Sequence, residues 1–597
     1  MKKSRKKKQT GGTGDVFPRE EHTCDFCVVG GGMAGVTAAL AAARHGASVV
    51  LMHDRPVLGG NASSEIRVHI CGADRSGGIP HMRETGILEE LRLENLKRNP
   101  GRIFSIWDTI LYEKLTFEEN ITLLLNCSCF DADMDGDRIV SATGWQLTTQ
   151  TYHTVKASIF ADCSGDGVLA PLTGADFRIG REARGEYSES IAPEKGDSLT
   201  MGMTIMFQAE EFDSPRPFEP LPWAYTYDSC DELPYGAKGH TWWKMGYWWV
   251  ELGGEHDSIR DTERMRDELL KISYGVWDHI KNRCSGEAEN WALTWMQFLP
   301  GKRESRRYTG VHVLTQNDIE SGGKFEDRVA YGGWTMDDHH SAGFRSVKIG
   351  APSTVFHPAP SPYGIPYRSL YSKNIPNLMF AGRCHSATHA AMSSTRVMGT
   401  GCSMGQAVGT AAAVAVKNGV DPEGVLGRVS GLQQMLLRDD AYIPLAPQEY
   451  SDLTVQSVLS ASQGDPEPVR DGIHRQVGDD PHAWEHTPGD SVWYEFKTTC
   501  TVTEAVLILD TAMDGYIQMS YSYTWQDEFI LPDVIPDSFS IDIKQGDSWE
   551  RLTDIEGNYR RCVSVPVNKK IDGIRYTLNT TRGAERTRMY AFYVTPK

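Results

Sequence analysis

The first strongly patterned stretch of the chain is residues 22–54. CDFCVVG (24–30) is a continuous apolar run of strand length, suited to a strand buried on both faces. MAGVTAALAAARHG (33–46) is Ala-rich and stops at a glycine, the composition and ending of a helix. ASVVLMHD (47–54) repeats the buried-strand pattern. Together they predict a βαβ unit with parallel strands.

The pattern continues to about residue 177. RETGILEELRLENLKR (83–98) is an amphipathic helix, residues 121–147 read as strands joined by a DGD turn, and SIFADCSGDG (158–167) reads as a strand ending in a glycine-rich turn. Over 178–370 the character changes. HTWWKMGYWWVELGG (240–254) suggests sheet, with Trp242, Trp243, Trp248 and Trp249 read as core residues ahead of a sugar platform, and 259–282 is a long amphipathic helix. This stretch is expected to be an inserted mixed β-sheet domain that supplies a substrate pocket. IPNLMFAGR (375–383) and CSMGQAVGTAAAVAVKNG (402–419) return to strand and helix, so 371–420 rejoins 22–177 in one α/β domain. Residues 421–462 read as a helical connector. From 463 to 597 short strands, among them runs at 491–498, 503–511, 517–524, 561–567 and 573–580, alternate with turns, the pattern of an all-β sandwich.

Composition narrows the partners. A chain of 597 residues exceeds one hydrophobic core. A formal charge of −18 argues against nucleic acid, which needs a basic face. The opening MKKSRKKK is basic but has no apolar run behind it, so residues 1–21 read as a disordered basic tail rather than a secretory signal. No segment has the length of a membrane span. Twelve scattered Cys fit reduced thiols in a cytoplasmic protein, and Cys24 and Cys27 fit two thiols on a strand.

Candidate chemistry begins at Gly30, Gly32 and Gly35, a GxGxxG between the first strand and its helix. The first glycine permits the tight turn, the second lets backbone approach a pyrophosphate, and the third lets helix and strand pack closely. The pyrophosphate then meets N–H groups at the positive end of the helix. Asp54 ends the second strand, where the fingerprint puts a ribose-binding carboxylate.

With VVGGGMAGVTAAL, DRPVLGGNASSEIR, RETGILEEL, GKRESRRYTG, GGWTMDDHH and AGRCHSATH…STRVMGTG, the chain over residues 22–420 resembles the FAD-dependent oxidoreductases of the glutathione-reductase and succinate-dehydrogenase-like superfamily. The resemblance implies a Rossmann-type FAD-binding domain and non-covalently held FAD. It implies that Gly30, Gly32, Met33 and Ala34 line the pyrophosphate, with Gly35 completing the cofactor-binding turn, and that Asp54, with Arg55 beside it, holds the adenosine ribose. The loop Gly59, Gly60, Asn61 and Ser64 would pass beside the diphosphate and the flavin, and Cys163, Ser164 and Gly165 would lie near the ADP part. Gly382 and Arg383 stand where many relatives have Gly-Asp, and Arg383 could neutralise a phosphate. Val397, Met398, Gly399, Thr400 and Gly401 would approach the pyrimidine edge of the flavin. Residues 463–597, through DGIHRQVGDDPHAWEHTPGDSVWYEFKTTCTVTEAVLILDT, resemble the discoidin-like, galactose-binding-like jelly roll.

Proton handling beside a flavin falls most readily to histidine. His385 and His389 lie in the flavin-proximal motif. His339 and His340 follow Asp337 and Asp338, which could orient them; no third donor at metal-ligand spacing accompanies the pair, so no metal is expected. Arg67, Arg306 and Trp334 are the candidate substrate contacts. Arg303, Glu304, Arg306 and Arg307 form a dense charged group, readable as a solvated cluster or as a clamp on an oxygen-rich ligand. No second GxGxxG accompanies a strand and helix, so the electron acceptor is open among oxygen, a quinone, a carrier protein and the product side of a redox cycle. The expectation is an FAD enzyme, compatible with a homo-oligomer, that oxidises a hydroxyl of a carbohydrate-like small molecule by hydride transfer. The alternatives are a fumarate-reductase-like reductase of an activated double bond and a non-catalytic binding protein on the same fold.

Overall fold

The computed structural model describes residues 16–236, 249–284, 286–513, 519 and 529–597. A parallel core organises its first part. β1 (Arg19–Val29) pairs in parallel with β2 (Val49–Met52), and α1 (Met33–Arg44) makes the crossover. Two further helices, α2 (Ile87–Arg98) and α3 (Phe104–Thr116), precede β3 (Ile121–Leu124), which extends the parallel sheet beyond β2. β4 (Cys127–Asp135) and β5 (Arg138–Gln146) form a hairpin, and β6 (Thr151–Asp162) pairs with β1 along its whole length, from Arg19↔Tyr152 to Val29↔Asp162. The strand therefore begins at Arg19. Arg19, Glu20 and Glu21 are sheet residues, not part of a disordered tail; residues 1–15 lie outside the described residues.

The far edge of β6 is shared. β5 takes Thr151–Lys156 antiparallel, and Leu378–Phe380 takes Phe160–Asp162 in parallel. Val29, Met52, Asp162 and Phe380 thus come to one end of the sheet, the carboxyl end at which ligands bind in open α/β sheets.

The insertion has its own core, in which Met203, Phe207, Leu252, Met265, Leu269, Trp277 and Phe344 are buried together. Its strands are short antiparallel pieces: β7 (Phe207–Glu211) with β8 (Trp291–Met296), and β9 (Met336–His339) with β10 (Thr354–His357). The expected amphipathic helix is α4 (Thr262–Asp278). Trp242, Trp243 and Trp248 lie outside the described residues; Trp249 is buried.

α5 (Met398–Asn418) returns the chain to the first domain and lies on α1. A Cβ at Gly405 would stand 2.2 Å from the Ala34 carbonyl, and one at Gly409 would stand 2.1 Å from that of Ala38, so the run of small residues lets two helix backbones touch. The connector is helical over Val429–Arg438, but its last strand, Val458–Ala461, pairs with Glu495–Val492 and belongs to the C-terminal sheet.

That sheet is antiparallel throughout and encloses Val492, Tyr494, Leu507, Phe539, Ile541, Ile574, Tyr576 and Phe592. The two runs expected as separate strands at 491–498 and 503–511 form one strand, β11 (Ser491–Leu509), and those at 561–567 and 573–580 form another, β12 (Cys562–Thr581). Their register shifts between Glu495 and Cys500. The segment joining the first two runs, Thr498 to Val502, has no Gly or Pro to break a strand, so the chain bends instead of turning. The run expected at 517–524 lies outside the described residues, Met519 excepted.

The C-terminal domain is keyed to the connector and the first domain by buried polar contacts. Arg561 Nε donates to Asp440 at 2.8 Å with both side chains under 5% exposed. Arg475 donates to the Arg83 carbonyl at 2.8 Å, and Thr511 donates to Glu89, itself paired with Arg83 at 3.0 Å.

Candidate active site

The turn from β1 into α1 fixes one wall of a cavity of about 1030 Å³. Gly30 has φ 106°, a left-handed conformation that disfavours a side chain, and a Cβ there would stand 2.4 Å from the Ser164 nitrogen. A Cβ at Gly35 would stand 1.9 Å from the Gly30 carbonyl, so the third glycine serves helix–strand packing and does not line the cavity. No side chain caps α1. Its first-turn N–H groups therefore have no intrahelical acceptor, and they stand at a wall lined by Gly32, Met33 and Ala34. A dinucleotide pyrophosphate meets that need directly.

Asp54, with its side chain 62% exposed, and Arg55 line the same cavity at the end of β2. His53, one residue earlier, is buried. Its Nδ1 accepts from the Gly31 N–H at 3.0 Å while Nε2 donates to the Val57 carbonyl at 3.0 Å, so this neutral imidazole buttresses the glycine turn; burial pushes its pKa down to about 4. Gly59, Gly60, Asn61, Cys163, Ser164, Gly165, Gly382 and Arg383 complete this half of the lining. Arg383 is held by Asp166 at 2.9 Å and by the Ser305 hydroxyl at 2.9 Å, and Lys302 meets the same aspartate at 2.7 Å. Arg383 thus reaches the cavity already paired. Val397, Met398 and Gly401 bring the N-terminal end of α5 to the lining.

The other half of the cavity is made of side chains from the insertion. Tyr235, Trp249, Trp334 and Phe356 contribute aromatic walls, and the Trp334 indole N–H is buried without a partner. Beside them lie Arg303, Asp337, His339 and Arg396. His339 Nδ1 donates to buried Glu251 at 2.7 Å, and Nε2 meets Asp337 at 3.3 Å. Arg303 pairs with Glu251 at 3.3 Å and Arg396 with Asp337 at 3.2 Å. Burial disfavours charge on His339, but Glu251 and Asp337 outweigh it and hold its pKa above the ordinary value. Burial would likewise raise Asp337, yet His339 and Arg396 hold it well below the usual carboxylate range. With His339 protonated, three cationic groups face two carboxylates and leave a local excess of positive charge, suited to an anionic substituent on a ligand.

Several sequence candidates lie elsewhere. Of the four histidines expected to do chemistry, only His339 lines the cavity. His389 is buried beneath it, donating from Nδ1 to Glu304 at 2.8 Å and from Nε2 to Asp338 at 3.2 Å. Burial opposes its charge, but the two carboxylates lift its pKa to about 10, making it a structural cation with both nitrogens engaged. His385 is fully buried, its Nδ1 donates to the Gly382 carbonyl at 2.8 Å, and burial lowers its pKa to about 4. His340 Nδ1 accepts from the Ala342 N–H at 3.1 Å, outside the lining. Arg67 stacks on Trp295 at 4.3 Å and bonds the Ser64 carbonyl, so it braces the wall from behind; Ser64, Gly399 and Thr400 are also outside the lining. Arg306 and Trp334 do line it. The charged group at 303–307 is not a solvated cluster: Glu304 and Arg307 are at most 1% exposed, and Arg307 pairs with Glu182 at 2.9 Å.

Sequence reading missed Glu251, Tyr235, Thr354 and Arg396. Arg396 had a visible signal, a lone cation in a run of small and apolar residues immediately before a helix. Glu251 had one too, a carboxylate closing an aromatic run.

No curated protein matches the chain. Among solved structures, the OxyS anhydrotetracycline hydroxylase from Streptomyces rimosus is 12% identical and covers 70% of this chain and 67% of its own, with a TM-score of 0.32. The family 32 carbohydrate-binding module from Streptococcus pneumoniae EndoD is 14% identical and covers 25% of this chain and all of its own, with a TM-score of 0.20. The family 32 module of Clostridium perfringens NanJ, solved in complex with galactose, is 11% identical over 24% of this chain and 93% of its own, with a TM-score of 0.18. Likeness at that level says nothing about this chain's ligand. The family described as FAD dependent oxidoreductase matches residues 25–436, a span holding the glycine turn, the uncapped helix and the charged half of the cavity. The chain belongs to the FAD dependent oxidoreductase family, and FAD is its cofactor.

Proposed function

We propose that the enzyme holds FAD non-covalently in the Rossmann half of the cavity and oxidises a hydroxyl of a small, sugar-like molecule bearing an acidic group, bound in the other half. The observation that carries this reading is the joining, in one cavity, of four aromatic walls with the Arg303–His339–Arg396 cationic group. Gly30, Gly32, Met33 and Ala34 would hold the pyrophosphate, Asp54 a ribose hydroxyl, and the N-terminal end of α5 the pyrimidine edge. FAD, when bound, supplies the two-electron acceptor.

The chain's own residues do the rest. Arg303 and Arg396 hold the acidic group and fix which carbon faces the cofactor. The aromatic side chains exclude water and cover apolar sugar faces. His339 takes the hydroxyl proton, which requires its imidazole to be neutral first, so the oxidation rate rises with pH through the raised pKa of His339. The sugar-like part of the reading rests on the aromatic walls, not on the C-terminal domain.

A second reading is favoured by that same raised pKa. A charged imidazole between two arginines is a proton donor beside an anion clamp, the arrangement needed to reduce a double bond conjugated to a carboxylate. The two readings separate under anaerobic conditions. Sugar acids and related hydroxy acids should bleach the oxidised enzyme's visible spectrum. If none does, and dithionite-reduced enzyme is instead reoxidised by an unsaturated acid, the second reading replaces the first.

A further inference from the structure

The insertion contains a set of soft ligands that the redox site does not use. Cys230 opens a short turn, Cys230–Glu232, whose capping box is closed by Glu232 accepting from the Ser229 N–H at 3.0 Å. His279 and Cys284 come from the far end of α4, where the helix widens into a π turn over His279–Arg283. In that i→i+5 geometry residue 284 comes back over residue 279. The Cys230 Sγ stands 3.9 Å from the Cys284 Sγ and 3.7 Å from His279 Nε2, and all three donor atoms lie within 4.8 Å of one another. A disulfide is not what this spacing describes, since bonded sulfurs are about 2.05 Å apart. Tetrahedral zinc, with Zn–S about 2.3 Å and Zn–N about 2.0–2.1 Å, holds its ligand atoms about 3.5–3.8 Å apart.

The imidazole is oriented as a metal ligand requires. His279 is 1% exposed, and its Nδ1–H donates to the Tyr227 carbonyl at 2.7 Å. That bond fixes the tautomer and leaves the Nε2 lone pair toward the thiols, the outer-shell arrangement typical of metal-binding histidines. The same two segments are also joined by Arg283 and Asp228 at 2.6 Å.

We propose that Cys230, Cys284 and His279 Nε2 bind a zinc ion that staples the segment 227–232 to the end of α4. Binding releases two thiol protons and leaves a fourth position for water or another donor. Tyr235, five residues past Cys230, lines the redox cavity, so the staple anchors the segment that carries one of its walls.

The test uses the full-length flavoprotein purified without chelator from zinc-supplemented cells. Elemental analysis should find zinc stoichiometric with the chain, and the zinc-edge X-ray absorption spectrum should show two sulfur ligands. Cys230→Ser and Cys284→Ser should each lower zinc to background while the flavin spectrum persists. Should those variants fail to fold, replacement of zinc by cobalt in the wild-type protein decides the matter, with thiolate charge transfer and tetrahedral ligand-field bands expected. Zinc at background in the wild-type protein, a first shell of nitrogen and oxygen only, or a Cys230–Cys284 disulfide in peptide mass maps would each overturn the proposal.

Discussion

The two halves of the central cavity are built on different principles. The cofactor half is mostly backbone: a glycine turn at φ 106°, an uncapped helix and a glycine loop within residues 29–61, joined by the turns at 163–165 and 382–383 and the start of α5 at 397–401. The substrate half is mostly side chains, and its charged group joins Glu251, Arg303, His339 and Arg396 from four separate parts of the chain. A backbone site is specified by local spacing and tolerates little change in residue size. A side-chain site is specified by tertiary packing and can be retuned residue by residue without disturbing the first.

The strongest test of that contrast is Gly35→Val. The new side chain would meet the Gly30 carbonyl at the heart of the turn, and the expected result is folded protein without flavin, read by visible absorbance alongside circular dichroism. Colour retained at wild-type stoichiometry would show that the turn is not the cofactor's seat.

His389→Gln comes next. It removes a buried cation between Glu304 and Asp338, and breaking such a set costs about 3–5 kcal/mol. The folded pKa of about 10 lies above the unfolded value of 6.5. The histidine's contribution is therefore complete below pH 6.5 and disappears as pH rises through 10. Thermal unfolding should show wild type and variant far apart at pH 6 and converging toward pH 10. A variant that kept wild-type stability at pH 6 but lost turnover would return His389 to the chemistry.

Arg396→Ala should spare flavin content while lowering kcat/KM for an acidic substrate by about 10- to 100-fold, the scale of one charge-assisted contact of about 1.5–3 kcal/mol. An equal loss for a neutral analogue would remove the anion-clamp reading. The smallest effect belongs to Asp54→Ala. With so exposed a carboxylate, the lost hydrogen bond is worth about 1 kcal/mol, so flavin should bind about fivefold more weakly in equilibrium titration.

The same contrast explains what could be read from the chain alone. Gly30, Gly32 and Gly35 predict the tight β1–α1 turn because their spacing is itself the geometry. The β1–α1–β2 unit and the all-β character of residues past 463 were legible for the same reason, being local periodicities. His385 and His389 stood out by their motif, yet nothing in that motif separates a buried structural histidine from one facing a ligand. For His389 that distinction is set by Glu304 and Asp338, at long range. Glu251 was marked only as a carboxylate closing an aromatic run, its partners His339 and Arg303 being set at long range, and the fusion of two runs into β11 depends on a bend that has no residue signature between Thr498 and Val502.

The buried bond between Arg561 and Asp440 has one more implication. With Arg475 and Thr511 also inserted among Arg83 and Glu89, the C-terminal domain behaves as a keystone and not as a pendant on a leash. Anything it grips stays at a set distance and angle from the mouth of the cavity. Cutting it away would leave the buried Asp440 carboxylate without Arg561 and open the Arg83–Glu89 pair to water, so the oxidoreductase half should not outlive the loss of its neighbour.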